Sequence, residues 1–339
     1  MRHMTTIGYA LSSEEHRPND LVAFARRAEK AGFEFALISD HYHPWTDRQG
    51  QSPFVWSVLG AIAQATRRLT VGTAVTCPTV RIHPAIVAQA AATTAALMPG
   101  RFFLGVGTGE NLNEHILGDR WPETEVRQER LTEAIEVIRL LWQGGNRSYH
   151  GRYFTVENAR LYTLPDSLPP LFVAVGGKRG AEQAARLGDG MIGTEPERAL
   201  LAAFDKAGGS GKPRYAELTV CWARDEATAR RIAREQWPTS GMESSLSWEL
   251  PLPAHFEAVA KLVSEDEVAE SVTCGPDPAK HLAAIRKYAA AGYDHICVHQ
   301  VGRDQKGFFE FYEQEILPEL KTLQTRRRTA GGARRRRAR

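Results

Sequence analysis

The stretch Arg101 to His115, RFFLGVGTGENLNEH, decides the fold. Its first part is a run of apolar residues that is typical of a strand buried on both faces. Glycine then occurs at every second position from Gly105 to Gly109, and glycine lets a ligand approach the backbone closely. Glu110, Asn113 and Glu114 follow directly. A buried strand that ends in glycines and then in polar side chains predicts the floor and rim of a cofactor site. The simpler alternative is a tight turn before an amphipathic helix.

The bulk composition is that of a globular protein. Of the 339 residues, 42% are hydrophobic and 24% are charged. A chain of this length can form two average domains or one α/β barrel. No apolar run approaches the ~20 residues of a membrane span, and the N-terminus lacks the apolar stretch of a signal peptide. The four cysteines have no CxxC or paired spacing: Cys77, Cys221, Cys274 and Cys297. We therefore expect a protein of the reducing cytoplasm, without a membrane partner.

The net charge of +3 comes from the C-terminus. Residues 326–339 contain eight arginines and no acid, which leaves a net charge of −5 on the other residues. A Gly/Ala/Arg segment cannot bury a core. We therefore expect one folded domain over 1–324 and a disordered tail over 325–339. The alternative is a barrel that binds nucleic acid through this tail, but the acidic body disfavours it, and we expect no nucleic-acid partner.

Strand and helix patterns alternate along the rest of the chain. Apolar strands are expected near residues 7, 35, 71, 103, 173, 192, 219 and 297, each followed by a helix. Because eight βα units occur and no GxGxxG follows the first strand, we predict an α/β fold, a closed (β/α)8 TIM barrel, over a doubly wound sheet. The rhythm breaks at 144–170, with a small hairpin, and at 238–271. We expect both to be insertions that cover one side of the active face.

In such a barrel the active site lies at the C-terminal ends of the strands. The residues at these ends are Asp40-His41, Ala74 to Pro78, Gly107 to Glu110, Gly176-Gly177, Thr194 and His299. His41 is suited to accept a proton from a substrate hydroxyl near neutral pH, although a loop histidine satisfied by backbone is the alternative. Glu110 is suited to protonate or hydrogen-bond a ring nitrogen of a bound heterocycle. The run Gly176 to Arg179 opens a helix, where N–H groups and two cations suit a phosphate.

The chain resembles the luciferase-like family of deazaflavin (coenzyme F420)-dependent oxidoreductases, and within it the glucose-6-phosphate dehydrogenase group. The resemblance spreads over nearly all of residues 4–320. The matching stretches are AGFEFALISDHYHPW, VGTAVTCPTVRIHPA, RFFLGVGTGENLNE, FVAVGGKRGAEQAARLGDG and GYDHICVHQVGRDQKGFFEFYEQEILPEL. The DH-x-x-x-W and GTGE-x-LNE motifs are the most specific. The resemblance implies coenzyme F420 as the cofactor and a homodimer as the assembly.

The resemblance also implies roles for individual residues. The catalytic base falls on His41 and the acid on Glu110, with Trp45 near the deazaflavin ring. Cofactor-binding positions fall on Asp40, Ala74, Val75, Cys77, Thr108, Gly109, Asn113, Gly176 and Gly177. The non-prolyl cis peptide that the family has beneath the ring maps to Ala74-Val75. Cys77 stands where the dehydrogenases have threonine. No metal is expected.

The substrate pocket departs from the family pattern. The glucose-6-phosphate enzymes have T-S-G-K after the sixth strand and hold the phosphate with that lysine and a later one. This chain has Thr194-Glu195-Pro196-Glu197, with Glu197 at the first lysine's place and Glu270 at the second. Carboxylates repel a dianionic phosphate and accept hydrogen bonds from sugar hydroxyls. We therefore expect Thr194, Glu197 and Glu270 to bind a neutral sugar.

The expected reaction is hydride transfer from a carbinol carbon to C5 of the oxidised deazaflavin, with His41 taking the hydroxyl proton. The favoured substrate is a non-phosphorylated sugar oxidised at its anomeric carbon to a lactone. The alternatives are a dehydrogenase of glucose-6-phosphate or another alcohol, or a reductase that uses the reduced cofactor. A flavin-dependent monooxygenase on the same scaffold is disfavoured by the retained DH-x-x-x-W and GTGE motifs.

Overall fold

The computed structural model describes residues 5–321, so the arginine-rich segment 325–339 lies outside the described residues. The strands are β1 (Thr6–Leu11), β2 (Phe35–Ile38), β3 (Thr70–Thr73), β4 (Phe102–Val106), β5 (Arg147–His150), β6 (Thr155–Ala159), β7 (Leu171–Val175), β8 (Gly190–Gly193), β9 (Arg214–Cys221), β10 (Thr273–Cys274) and β11 (His295–Gln300). The α-helices are α1 (Pro18–Ala31), α2 (Val55–Ala65), α3 (Pro84–Leu97), α4 (Asn111–Glu114), α5 (Thr124–Leu141), α6 (Lys178–Leu187), α7 (Arg198–Phe204), α8 (Glu226–Gln236), α9 (Ser244–Glu249), α10 (Pro253–Ala260), α11 (Glu265–Ser271), α12 (Pro278–Ala291) and α13 (Gln305–Phe311).

Eight of the strands form a closed parallel barrel. Their order around the barrel is β1, β2, β3, β4, β7, β8, β9, β11, and β11 pairs with β1 to close it. The two-residue β10 pairs with the outer end of β9. All eight strands predicted from the sequence are present, and the predicted (β/α)8 barrel is confirmed.

The N-terminal half of the barrel interior is filled by aromatic rings. Phe35, Phe103, Phe172 and Tyr215 lie with ring centroids 4.8 to 5.1 Å apart, and each comes from the first part of its strand. These rings fill the barrel at the N-terminal ends of its strands. Side chains that bind a ligand are therefore confined to the C-terminal half, where the strand ends become polar.

The helices bury one apolar stripe each against the outside of the barrel. In α1, Leu21, Ala25 and Ala28 are fully buried, as the helical spacing predicts. Pro18 begins the helix, and Gly32, with φ of 99°, ends it as a left-handed cap. Within residues 5–321, none of the helices combines the length and the apolar character needed to cross a bilayer.

The insertion 144–170 was expected to cover one side of the active face, but it lies elsewhere. Its hairpin, β5 and β6, lies along the outside of α5, where Glu133 accepts hydrogen bonds from the backbone N–H groups of Tyr153 and Phe154 at 2.8 to 3.1 Å. Tyr149 donates to Glu136 of the same helix at 2.8 Å. The carboxylates of α5 therefore hold the hairpin on the flank of the barrel.

The insertion 238–271 is more helical than the sequence suggested. One helix was expected around Phe256 to Val263, and α10 is shifted to Pro253–Ala260. Helices α9 and α11 were not predicted. Helix α11 begins with a capping box, in which Ser264 Oγ accepts from Glu267 N and the Glu267 carboxylate accepts from Ser264 N. The S-x-x-E pattern at 264–267 was the sequence signal for this start.

Candidate active site

His41 lies between two carboxylates at the C-terminal face of the barrel. Its Nδ1 is 3.3 Å from Glu14 Oε1, and its Nε2 is 3.5 Å from Glu110 Oε2. Nδ1 is also 3.3 Å from the carbonyl oxygen of His43. The His41 side chain is 10% exposed, so the imidazole is nearly enclosed while Nε2 still faces the site.

The surroundings shift the pKa values of this pair. Burial of the His41 ring works against its charged form, but Glu14 and Glu110 outweigh burial, so the pKa of His41 lies above its ordinary value. Burial raises the pKa of Glu110, against the opposing charge of His41. The Glu110 side chain remains 27% exposed, so its carboxyl group is open to a ligand on one side. The pKa of His41 is therefore raised by its two carboxylate neighbours and that of Glu110 by burial.

Glu14 is a site residue that the sequence reasoning missed. Its side chain is buried, and Oε2 accepts hydrogen bonds from Ser12 Oγ at 3.0 Å and Ser39 Oγ at 2.6 Å. These two hydroxyls fix the carboxylate and leave Oε1 toward His41. The available signal was the run S-S-E-E at 12–15, which directly follows β1 at the same face as the other strand ends.

Asn113 joins the His41 loop to Glu110. Its Oδ1 accepts from the backbone N–H groups of Tyr42 at 2.8 Å and His43 at 3.1 Å, and its Nδ2 donates to Glu110 Oε2 at 3.0 Å. The amide therefore positions both partners of the His41–Glu110 pair. The predicted contact of Asn113 with a bound ring stays a prediction.

Asp40 belongs to a buried ion-pair cluster. Arg81 Nη2 donates to Asp40 Oδ1 at 2.9 Å, and Thr76 Oγ1 donates to Oδ2 at 2.8 Å. The Arg81 backbone N–H donates to Glu114 Oε2 at 2.7 Å. These three charged side chains are at most 6% exposed. Both Asp40 oxygens are thus already engaged, and Arg81, which the sequence analysis did not single out, anchors the loop that follows β3.

The alternating glycines of 105–109 make room for a neighbouring segment of the chain, 73–77. Their contact with a ligand stays a prediction. A Cβ atom at each glycine would meet an atom of that segment: Thr73 O at Gly105, Val75 Cγ2 (2.6 Å) at Gly107 and Cys77 Sγ (2.5 Å) at Gly109. Gly109 also has φ of 80°. The peptide bond between Ala74 and Val75 is cis, as the resemblance implied. This segment therefore packs closely against the end of β4.

Gly176 and Gly177 lead into α6 as expected. No atom lies within 4 Å of the place where a Gly177 Cβ would be, and no side chain caps the helix. The α6 N–H groups therefore face open space. Of the two predicted cations, Arg179 pairs with Glu125 at 2.7 Å on the outer surface. The other, Lys178, lines a groove of about 810 Å³ between α6 and α7, together with Gly177 and Glu197.

The insertion 238–271 closes one side of the site. Trp45 packs edge-on against both His41, at 5.1 Å between centroids, and Phe256 of α10, at 5.2 Å. In α9, Trp248 lies so close to Gly176 that a Cβ there would be 2.9 Å from its Cζ2 atom. Arg127 holds Glu249 at 3.1 Å. The expectation that this stretch covers part of the active face is confirmed.

The predicted substrate residues are more dispersed. Thr194 is exposed at the end of β8, where its carbonyl oxygen accepts from Tyr288 OH at 2.7 Å. Glu197 is exposed at the start of α7. Glu270 is exposed on α11, and none of the contacts among residues 5–321 joins it to His41 or Glu110. The structure thus brings His41, Glu110, Trp45 and Asn113 together but does not connect Glu270 with them.

His299 lies at the end of β11, on the opposite side of the barrel from β4. Its Nε2 is 3.0 Å from Glu15 Oε2, and its Nδ1 is 3.4 Å from Glu217 Oε1. Glu15 and Glu217 were not predicted. Within the described part of the chain, no group of His, Cys, Asp and Glu side chains has an arrangement that would hold a metal ion.

Comparison with known proteins places this architecture in a family. The profile of the luciferase-like monooxygenase family matches residues 2–295. A protein of Beutenbergia cavernae named F420-dependent glucose-6-phosphate dehydrogenase is 36% identical, over 94% of this chain and 98% of the relative. One of the same name from Mycobacterium avium is 35% identical, also over 94% and 98%.

Solved structures with a similar fold support the same family. An F420-dependent secondary alcohol dehydrogenase in complex with an F420-acetone adduct superposes with a TM-score of 0.87 and 31% identity, over 92% of this chain and 98% of the other. A coenzyme F420-dependent tetrahydromethanopterin reductase from Methanopyrus kandleri has a TM-score of 0.74 at 20% identity, over 94% and 99%, which supports the fold alone. From the profile match and the length of these alignments, the chain belongs to the luciferase-like family.

Proposed function

We propose that this protein is an F420-dependent dehydrogenase that oxidises a carbinol carbon of a sugar or other alcohol, with His41 as the base. The observation that carries the proposal is the imidazole held by buried Glu14 on one side, with Nε2 facing Glu110 on the other. The names of the matching relatives, F420-dependent dehydrogenases acting on glucose-6-phosphate or a secondary alcohol, support the same cofactor and reaction class.

The residues of the site fit a deazaflavin. When bound, the oxidised cofactor supplies the hydride acceptor. The segment 74–77, partly exposed at Ala74 and Val75, packs against Gly107 and Gly109 and forms a wall for a ring, with the partly exposed carboxyl group of Glu110 following the same strand end. The uncapped N-terminus of α6 at Gly177 and the cation of Lys178 suit the anionic linker of that cofactor, and Glu197 lies on the α7 side of the same groove.

His41 accepts the substrate proton at Nε2. Nδ1–H donates to the carbonyl oxygen of His43, with the Glu14 carboxylate 3.3 Å away, so the neutral tautomer has its lone pair on Nε2, toward the open side of the site. The imidazolium that forms is stabilised by Glu14 and Glu110, the same charges that raise the pKa of His41. Trp45 packs on the ring and limits its rotation. These contacts hold the base before the substrate arrives, which is what proton abstraction requires.

Glu110 acts beside the cofactor rather than on the substrate proton. Burial raises its pKa, so it carries a proton at a higher pH than an exposed carboxyl group. Asn113 Nδ2 occupies Oε2 and leaves Oε1 for a ring nitrogen or oxygen. Glu110 is therefore placed to donate a hydrogen bond to, or accept one from, the ring edge.

The substrate we propose is a neutral sugar oxidised at its anomeric carbon. Glu197 follows β8 at the place where the resembling dehydrogenases have a phosphate-binding lysine, and a carboxylate there repels an anionic substrate. A second candidate, a small secondary alcohol, is favoured by the TM-score of 0.87 with the secondary alcohol dehydrogenase. Glucose-6-phosphate, the substrate in the curated relatives' names, is disfavoured by the carboxylate of Glu197.

Cofactor binding and turnover test the proposal. Fluorescence titration with F420 and with FMN identifies the cofactor, and the loss of oxidised-F420 absorbance is then followed with glucose, 2-propanol and glucose-6-phosphate. We expect retention of F420 over FMN and reduction by glucose faster than by glucose-6-phosphate. Preference for FMN with oxygen consumption would instead indicate a monooxygenase. Faster turnover of glucose-6-phosphate would overturn the proposed substrate and leave the cofactor standing.

A further inference from the structure

The barrel holds a second histidine between carboxylates, which the proposed chemistry does not use. Glu14 and Glu15 are adjacent in the chain, yet Glu14 contacts His41 and Glu15 contacts His299. His299 is 3% exposed, and the edge of its ring packs on Trp237 at 4.5 Å between centroids. One short segment after β1 thus positions two imidazoles at the mouth of the barrel.

Glu217 extends this cluster into the barrel interior. Along β9, Tyr215 belongs to the interior aromatic layer, and side chains alternate along a strand, so Glu217 faces the interior as well. Its strand neighbour Cys297 is fully buried, and His299 Nδ1 lies 3.4 Å from Glu217 Oε1 without hydrogen-bond geometry. The Glu217 side chain is nevertheless 29% exposed. Because its neighbours are buried, this exposed area opens toward the barrel mouth.

The barrel order places this cluster across from the proposed cofactor wall. Among the eight strands, β9 is four places from β3, and β11 is four places from β4. Ala74 and Val75 follow β3, and Glu110 follows β4. A substrate that lies between the cofactor wall and the far side of the barrel therefore meets Glu217 and His299 with the part of the molecule that does not react.

The chemistry of the cluster selects the group that it binds. Burial opposes the charge on His299, but Glu15 and Glu217 outweigh it and raise the pKa of His299 to about 10, so the ring is charged at neutral pH. Two carboxylates and one imidazolium leave one net negative charge. Among the described residues, none donates a hydrogen bond to Glu217 Oε2. The Glu217 carboxylate is therefore available to accept hydrogen bonds from hydroxyl groups, and its charge repels an anionic group.

We propose that Glu217, which lies beside the His299–Glu15 pair, is a hydroxyl-binding residue that makes the enzyme specific for a polyhydroxylated neutral substrate. This inference rests on the proposed function. It adds to it the side chain that would distinguish a sugar from a simple secondary alcohol. An uncharged polyol donates two hydroxyl hydrogens to one carboxylate, whereas an alcohol with a single hydroxyl engages only His41.

The test compares a polyol with a monohydroxy alcohol in the F420-loaded protein. Glu217→Ala is expected to raise KM for glucose by about 10- to 100-fold, the loss of a hydrogen bond to a charged group, with kcat changed by less than about threefold. KM for 2-propanol is expected to stay unchanged. Glu157→Gln, which removes the carboxylate of an exposed His–Glu pair on the hairpin, is the control and is expected to change neither value.

Several results would overturn the inference. An unchanged KM for glucose in Glu217→Ala would contradict it. Equal changes in KM for glucose and for 2-propanol would also contradict it, because they would indicate a structural role of Glu217. Calorimetric titration with glucose of the F420-free and the F420-loaded protein separates the two proposals. If F420 binds and 2-propanol is oxidised but glucose does not bind, the hydroxyl-binding role fails and the proposed dehydrogenase stands. If F420 does not bind, the proposed function fails, and glucose binding weakened by Glu217→Ala still supports the hydroxyl site.

Discussion

Glu14 Oε1 lies 3.3 Å from His41 Nδ1, with the carboxylate fixed from behind by the hydroxyls of Ser12 and Ser39. The arrangement orients an imidazole in the way that a buried carboxylate orients the base of a hydrolase triad. It differs in having a second carboxylate, Glu110, on the Nε2 side of the ring. The imidazole is therefore held by residues that follow β1, β2 and β4.

Removing the Glu14 charge should shift the pH dependence of turnover. Glu14 raises the pKa of His41, and oxidation needs the neutral ring, so the rate of the wild-type protein falls as pH drops through the raised pKa. In Glu14→Gln that pKa is lower, and the acidic limb of kcat/KM against pH moves to lower pH. The maximum rate should fall by about tenfold or more, because Glu14 no longer stabilises the charged form of the ring, while the His43 carbonyl oxygen still accepts from Nδ1–H. An acidic limb at the wild-type pH would argue against this role.

Replacing Asn113 should disturb the pair without removing either member. Asn113→Ala loses the hydrogen bonds to the backbone of Tyr42 and His43 and to Glu110, and the loop that carries His41 is then free to shift. A shift of about 1 Å costs about 10²-fold in kcat/KM. Circular dichroism and thermal unfolding check that the variant is folded. Wild-type kcat/KM in a folded Asn113→Ala would show that these bonds do not position the pair.

Alanine at Gly107 should destabilise the barrel. A Cβ there would lie 2.6 Å from Val75 Cγ2, so the segment 74–77 has to move, at a cost of about 1–3 kcal/mol in the free energy of unfolding. The matched control is Gly60→Ala in α2, where nothing lies within 4 Å of the new Cβ. That change should stabilise the protein by about 0.5–1 kcal/mol. Urea unfolding of both variants checks the contrast, and equal effects would contradict the packing role of Gly107.

His299 should make stability decrease in alkaline solution. Its pKa is raised from an ordinary value of 6.5 to about 10 by Glu15 and Glu217, which outweigh burial. The contribution of the charged ring is fully present below about pH 6.5 and is lost as pH rises through about 10. The free energy of unfolding, measured between pH 6 and about pH 10, should fall less steeply in His299→Gln than in the wild type. His150→Gln, in the exposed pair with Glu157, is the control and should keep the wild-type slope.

The strand-and-turn features were predictable from the sequence because they depend on local patterns. The buried strand at Phe102–Val106 is visible in the sequence as a run of apolar residues. The end of α1 is visible as Gly32, since glycine is the residue that most readily adopts the left-handed backbone of a helix cap. His41, Glu110 and Trp45 were identified because they follow strands or match a motif, and the structure places them in contact. Their roles in catalysis remain proposals.

The missed features depend on side chains that meet across the barrel. Nothing local shows that Glu14 contacts a histidine 27 residues later, or that Arg81 bridges Asp40 and Glu114. The packing of the glycines at 105–109 against the segment 73–77 was missed for the same reason, because the residues that fill the space come from a neighbouring strand end. Parallel pairing brings such partners together only once the register of β3 and β4 is set.

Chemical rescue of a His41 variant tests the central claim, that this imidazole is the base of a dehydrogenase, most directly. The rate of F420 reduction by glucose is measured in the wild type and in His41→Ala, with and without added imidazole, and F420 affinity is measured by fluorescence. We predict a loss of about 10²- to 10⁴-fold, partial recovery with imidazole, and F420 affinity within about threefold of the wild type. A His41→Ala protein that binds F420 and reduces it at the wild-type rate would contradict the account.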